Sequence, residues 1–173
     1  GLSYLGQLTL MLWQFISAFF LLAICAAVFM AMKEKTSETI GNFYSFFVRS
    51  CTRVLLPLAF IVATILVFNG TPMTFEGKDT ITTLEGQTQL VSRGPVAAFV
   101  AIKQLGTNGG GFYGPNSANP MENPNYLTNI VEVGSIILIP IAMIFALETK
   151  KISMDNLRCD DYRIFVTIDS ICN

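Results

Sequence analysis

Histidine is absent from this chain and charge is scarce. Only 13% of its 173 residues are Asp, Glu, Lys or Arg, against about 25% in a soluble domain. Without histidine there is no Ser-His-Asp or Cys-His nucleophile and no histidine ligand for zinc. The low charge, with 52% hydrophobic residues and a mean hydropathy of +0.55, argues against a soluble enzyme and predicts an integral membrane protein. The net charge of -1 is uninformative, and no basic patch in the sequence suggests nucleic acid. The four cysteines are Cys25, Cys51, Cys159 and Cys172. None forms a C-x-x-C pair, so neither a disulfide framework nor a metal cluster is expected. Cys25 lies in an apolar run, where a reduced, buried thiol is the ordinary state. No Asp stands in an Asp-Lys-Thr-Gly setting, and no catalytic constellation is expected. The first apolar run lacks a basic stretch before it and a small-x-small site after it, so it does not read as a signal peptide. With Gly1 at the start, an interior piece of a longer protein is expected.

What the chain does have is apolar length. Residues 8–32 carry no charge, and about 20 apolar residues cross a bilayer core. A second helix is expected over 41–68. Its first part is amphipathic, with Phe43, Phe46, Phe47 and Val48 set against Asn42, Ser45, Arg49 and Ser50. Pro57 is expected to kink it early. Asn69-Gly70-Thr71-Pro72 ends it with turn chemistry, and 69–93 reads as a loop without helical periodicity. A third span is expected over 126–147, with Pro140 inside. Tyr4 and Trp13 suit an interfacial aromatic belt. Lys33, Lys35, Arg49, Arg53, Lys150 and Lys151 cluster at one set of ends. The positive-inside rule therefore puts 33–53 and 148–173 in the cytoplasm and 69–125 outside.

Between the loop and the third span lies a short apolar run, 94–105, followed by Gly106-Thr107-Asn108-Gly109-Gly110-Gly111-Phe112. Pro95 suits the first helical position and Gly106 the left-handed position past the end. At ~1.5 Å per residue the helix is about 16 Å long, half a bilayer core. A helix that dips in and a strand that climbs back is the expected geometry. The helix C-terminus carries partial negative charge, and glycines free the following backbone. The carbonyls of Thr107, Asn108, Gly109, Gly110 and Gly111 are therefore candidate ligands for a dehydrated cation, as in ion filters. The pattern Gly109-Gly110-Gly111-Phe112-Tyr113-Gly114 also matches G-x-G-x-x-G. A dinucleotide site needs a strand before it and a helix after it. Here a helical segment precedes and Pro115 follows, so that reading is set aside. Lys103 is expected to face an acid or the interface, and Glu122, with Asn116 and Asn123, to anchor the strand behind the filter. Glu132 reads most simply as an interfacial partner for a neighbouring helix; the sharper reading is an acid that holds the filter loop.

The runs Gly94-Pro95-Val96-Ala97, Ala101-Ile102-Lys103-Gln104-Leu105-Gly106-Thr107-Asn108-Gly109-Gly110-Gly111-Phe112 and Asn116-Ser117-Ala118-Asn119-Pro120-Met121-Glu122-Asn123-Pro124 closely resemble the A subunit of the Kdp potassium-importing ATPase. The resemblance covers about 4–147 and includes Leu55-Leu56-Pro57-Leu58, Thr83-Leu84-Glu85-Gly86, Leu127-Thr128-Asn129 and Ile137-Leu138-Ile139-Pro140. It implies an all-α membrane protein of helix–pore loop–helix repeats in the potassium-channel-like superfamily, with three transmembrane helices and one re-entrant pore helix here. Residues 1–40 would be the last helix of a first repeat and its cytoplasmic link. Residues 41–149 would be a whole second repeat: helix 41–68, extracellular loop 69–93, pore helix 94–105, filter 106–112 and helix 126–147. Residues 107–111 would supply one of four filter segments that bind potassium, with no organic cofactor. The resemblance further implies a bacterial inner-membrane complex with a P-type ATPase B subunit, which hydrolyses ATP, and small C and F subunits. Asn119 and Met121 stand where the family usually has His and Phe. From Glu148 the resemblance ends, leaving 150–173 as a divergent tail. The missing repeats and that tail leave one alternative, a non-conducting truncated remnant; a second is a passive channel-type potassium uptake protein of the same superfamily, which would lack adjacent ATPase genes.

Overall fold

A computed structural model describes residues 3–33 and 42–152. Most of the tail over 150–173, with Cys159 and Cys172, and most of the link after the first helix lie outside the described residues. Helix α1 spans Tyr4–Lys33. Helix α2 spans Phe43–Arg49. It begins at Asn42, whose side chain accepts the backbone N–H groups of Tyr44 and Ser45 and so satisfies donors that every helix start leaves open. The chain then widens into a π-helical turn, Ser50–Leu55, before α3, Leu56–Phe68.

Pro57 was expected to kink this helix, and the structure shows how the strain is met. Proline has no N–H to donate four residues back. The turn just ahead is wound wider, and the Leu56 N–H reaches Cys51, five residues back. Such π-turns occur mostly as single turns inside α-helices. Helix α5, Tyr126–Ile152, carries Pro140 in its interior.

The segment 69–93, read as a loop, contains a β-hairpin instead. Strands β1, Lys78–Thr82, and β2, Thr88–Ser92, pair antiparallel with Asp79 opposite Val91 and Ile81 opposite Gln89. Thr, Ile and Val favour extended backbone. The reversal closes through the Thr83 N–H to the Gln87 carbonyl at 2.8 Å, with Gly86 at φ +81°. Arg93 holds Asp79 at 2.7 Å beside the hairpin.

The fourth helix, α4, Val96–Leu105, is buried on nearly every side. It packs against α1, α3 and α5. The core joins Ala18, Phe19 and Leu22 of α1 to Leu55, Val62 and Leu66, to Val96, Ala97, Val100, Ala101 and Leu105 of α4, and to Ile139 of α5. The outward faces of the long helices are also apolar: Phe60, Phe68, Ile130 and Ile144 are all largely exposed. Such surfaces are stable only against lipid or further protein. Three helices, Tyr4–Ala31, Phe43–Phe68 and Tyr126–Ala146, are long and apolar enough to cross a membrane.

Candidate functional site

The candidate site is the loop that follows α4. Gly106 was expected to take the left-handed position beyond the helix, but it stays right-handed at φ -81°. Thr107 turns instead, at φ +52°. A β-branched residue is rarely held there, because its Cβ crowds the backbone. The turn is locked by the Thr107 N–H to the Gln104 carbonyl at 3.2 Å and the Asn108 N–H to the Lys103 carbonyl at 3.1 Å. Gly109 then takes φ +78°, which glycine tolerates at no steric cost.

The loop doubles back. Gly110 pairs with Pro115, and the Asn116 N–H donates to the Gly109 carbonyl at 3.1 Å. Thr107, Asn108, Gly109 and Gly110 are exposed and Gly111 is half-buried. Two of the five expected ligand oxygens are thus engaged within the protein. Gly109 O accepts Asn116, and Gly110 O accepts Gln14 Nε2 at 2.9 Å. None of these bonds engages the carbonyls of Thr107 and Asn108.

Behind the loop sits a polar network sealed from solvent. Lys103 Nζ lies 2.8 Å from Glu122 Oε2, with the two side chains 0% and 1% exposed. The same ammonium donates to the Ser117 hydroxyl. Glu122 Oε1 accepts the Tyr113 N–H at 2.8 Å. One carboxylate therefore ties α4 to the returning limb of the loop. Glu122 braces this limb through Lys103 and the Tyr113 N–H. Gln104 Nε2 reaches Ser117 Oγ at 3.0 Å and Glu132 Oε2 at 2.5 Å. Glu132 is 2% exposed and is a buried partner of the neighbouring helix α4. Buried charges persist only when paired and hydrogen-bonded, and the network meets that demand for Lys103 and Glu122.

Gly111 closes against this network. A Cβ there would sit 2.6 Å from the Gly114 carbonyl oxygen, 2.7 Å from Glu122 Oε1 and 2.8 Å from Lys103 Nζ. Tyr113 points the other way, and its hydroxyl donates to the Ser92 carbonyl at 2.5 Å. Burial, and then the Glu122 carboxylate, push the Tyr113 phenol above its ordinary pKa, with Arg93 opposing. Asn119 accepts the Met121 N–H on its side chain at 2.9 Å and the Glu122 N–H on its carbonyl at 2.9 Å. It shapes the turn that delivers Glu122. At the C-terminal end of α4 lies a cavity of about 30 Å³, walled by Leu22, Leu55, Ile139, Pro140 and Met143 and reaching Gly106 and Thr107.

Sequence reading missed Gln14, Ser17 and Gln104. The signal was present: Gln14 and Ser17 are polar residues within a charge-free apolar run.

Membrane-length helices with apolar outer faces, packed round a short buried helix, define an all-α, multi-pass membrane protein. Within that class the chain belongs to the family described as the potassium-transporting ATPase A subunit, KdpA, whose model matches residues 1–152. It is 65% identical over 147 residues to the potassium-transporting ATPase potassium-binding subunit of Flavobacterium psychrophilum, covering 85% of this chain and 26% of that protein. The subunit of the same name from Bacteroides thetaiotaomicron is 59% identical over 148 residues, with 85% and 26% covered. That of Caldanaerobacter subterraneus is 44% identical over 146 residues, with 84% and 26% covered. The chain spans about a quarter of the length of these relatives.

Proposed function

We propose that this chain supplies one potassium-binding filter segment, residues 107–111, to an ATP-driven potassium importer of the bacterial inner membrane. The observation that carries the reading is an exposed glycine-rich loop at the C-terminus of a short buried helix, braced from behind by a sealed ion pair. The negative end of the α4 dipole suits a cation. The unengaged carbonyls of Thr107 and Asn108 are the leading ligands. Those of Gly109 and Gly110 keep a second lone pair each, and Gly111 completes the set. One loop cannot encircle an ion, so other filter segments would close the ring.

In this reading α4 is a re-entrant pore helix, residues 41–149 form one pore repeat, and α1 ends the repeat before it. The stretch 69–125 faces outside, and 33–53 and 148–173 face the cytoplasm. Potassium is cargo rather than a resident cofactor. ATP is hydrolysed in a partner B subunit, with C and F subunits completing the complex. The names of the relatives, each a potassium-binding subunit, support the ion.

The test is Gly109→Asp in a complete subunit carrying this segment. A Cβ at φ +78° is strained, and a carboxylate would compete with the carbonyls for the ion. The expected outcome is weaker potassium selectivity in ion-uptake assays. Unchanged affinity and discrimination would refute the reading.

A further inference from the structure

A primary amide in an apolar membrane span is costly unless it is hydrogen-bonded. Gln14 sits in such a span, yet its partners lie nearly a hundred residues away in the glycine loop. Its Nε2 donates to the Gly110 carbonyl at 2.9 Å. The main-chain carbonyl of Gln14 accepts Asn108 Nδ2 at 3.1 Å. Three residues further on, the Ser17 hydroxyl lies 2.9 Å from Asn108 Oδ1 and 2.8 Å from the Gln14 main-chain carbonyl, its one proton shared between the two acceptors. Gln14 Oε1 is buried and has no partner among the described residues. The amide is therefore oriented by its donor end, since the reverse orientation would set two acceptor oxygens against each other. One face of α1 thus grips both the main chain and a side chain of the loop from outside it.

We propose that Gln14 is a positioning residue for ion selectivity. Its side-chain amide fixes the direction of the Gly110 peptide, while the main-chain carbonyl at the same position, with Ser17, holds Asn108. Between them these contacts set the carbonyls of Thr107 and Asn108. Discrimination among monovalent ions depends on the number and placement of such oxygens. Loosening the clamp therefore changes which ion fits rather than whether the protein folds. The inference rests on residues 107–111 being a filter segment.

The test is Gln14→Met in the complete subunit, assembled with its partners in lipid vesicles. Methionine keeps the length and removes the donor. KM for potassium and for rubidium, and the maximal rate per assembled complex, are measured. The preference for potassium over rubidium is expected to fall about tenfold, the loss of roughly one hydrogen bond, with the maximal rate changed by no more than about twofold. A purely structural role lowers the amount of assembled complex and leaves the preference alone; that result overturns the proposal. Ser17→Ala is the milder variant, expected to lower the preference about threefold. If Gln14→Met does not assemble, an unchanged preference in Ser17→Ala overturns the proposal instead. Gly109→Asp in the same assay separates the two ideas. If it leaves the preference intact, the filter reading fails. If it alters the preference and Gln14→Met does not, only the role of Gln14 fails.

Discussion

Lys103 and Glu122 meet at 2.8 Å with no solvent on either side chain, and the second oxygen of Glu122 holds the Tyr113 N–H at 2.8 Å. Breaking a buried pair from one side leaves an uncompensated charge, at a cost of about 3–5 kcal/mol. Lys103→Met and Glu122→Gln are each expected to lower the thermal stability of the assembled subunit sharply. The double variant is expected to lose less than the sum of the two, because each single change strands the other's partner. A double-mutant cycle on melting temperature in detergent measures this. Strict additivity would mean that the pair contributes no coupling.

Gly111 and Gly114 bracket the same turn and should respond differently. A methyl group at Gly111 meets the Gly114 carbonyl, Glu122 and Lys103 within 2.8 Å, whereas at Gly114 nothing lies within 4 Å. Gly111→Ala in a complete subunit is expected to raise the KM for potassium by about fivefold or more, since overpacking costs ~1–3 kcal/mol. Gly114→Ala is expected to be near neutral. Equal effects in uptake kinetics would contradict the packing described here.

Much of this was legible in the sequence. The three apolar runs announced the long helices, since the spacing needed to cross lipid is fixed by length. The half-length run at 94–105, with Gly106 after it, announced α4. The hairpin was not legible, because its strands are short, polar and almost wholly exposed, so no apolar alternation marks them. The left-handed residue fell on Thr107 rather than Gly106. The hydrogen bonds from Thr107 and Asn108 back to α4 fix it there, a tertiary choice that overrides local preference. The pairing of Gln104 with Glu132 depended on which helix faces meet, and that of Lys103 with Glu122 on how the loop returns, neither of which spacing within a single helix reveals.

Ser50 offers a test of the π-turn. Its side chain is fully buried and its hydroxyl has no partner among the described residues. An unsatisfied buried hydroxyl costs about 1–3 kcal/mol. Ser50→Ala is therefore expected to be neutral or to raise the melting temperature. A marked loss of stability would mean that the hydroxyl has a partner after all.

Tyr113→Phe removes the hydroxyl that reaches Ser92, at a cost of about 1 kcal/mol at neutral pH. Its phenol is held above the ordinary value of 10.0. A raised folded pKa gives stability that is complete below the unfolded pKa and is lost as pH rises through the folded value. The advantage of the wild type over Tyr113→Phe should therefore be constant up to about pH 10 and shrink above it. Melting curves from pH 7 to about pH 11 check this.

Leu84 lies in the hairpin turn with its side chain fully exposed. In intact cells, Leu84→Cys is expected to react with a membrane-impermeant maleimide above the background of the unsubstituted subunit. Labelling only after the cells are opened would reverse the proposed sidedness.

The grip of α1 on the glycine loop also dictates an order of events during synthesis. The Gln14 amide and the Gly110 carbonyl are 96 residues apart, and such distant partners can meet only once the intervening chain exists. α1 must wait in the bilayer with an unsatisfied amide until the later segments arrive. The loop in turn cannot set until Glu122 has emerged behind it. The glycine turn would be the last part of this region to take its final shape, when the membrane helices beside it are already in place.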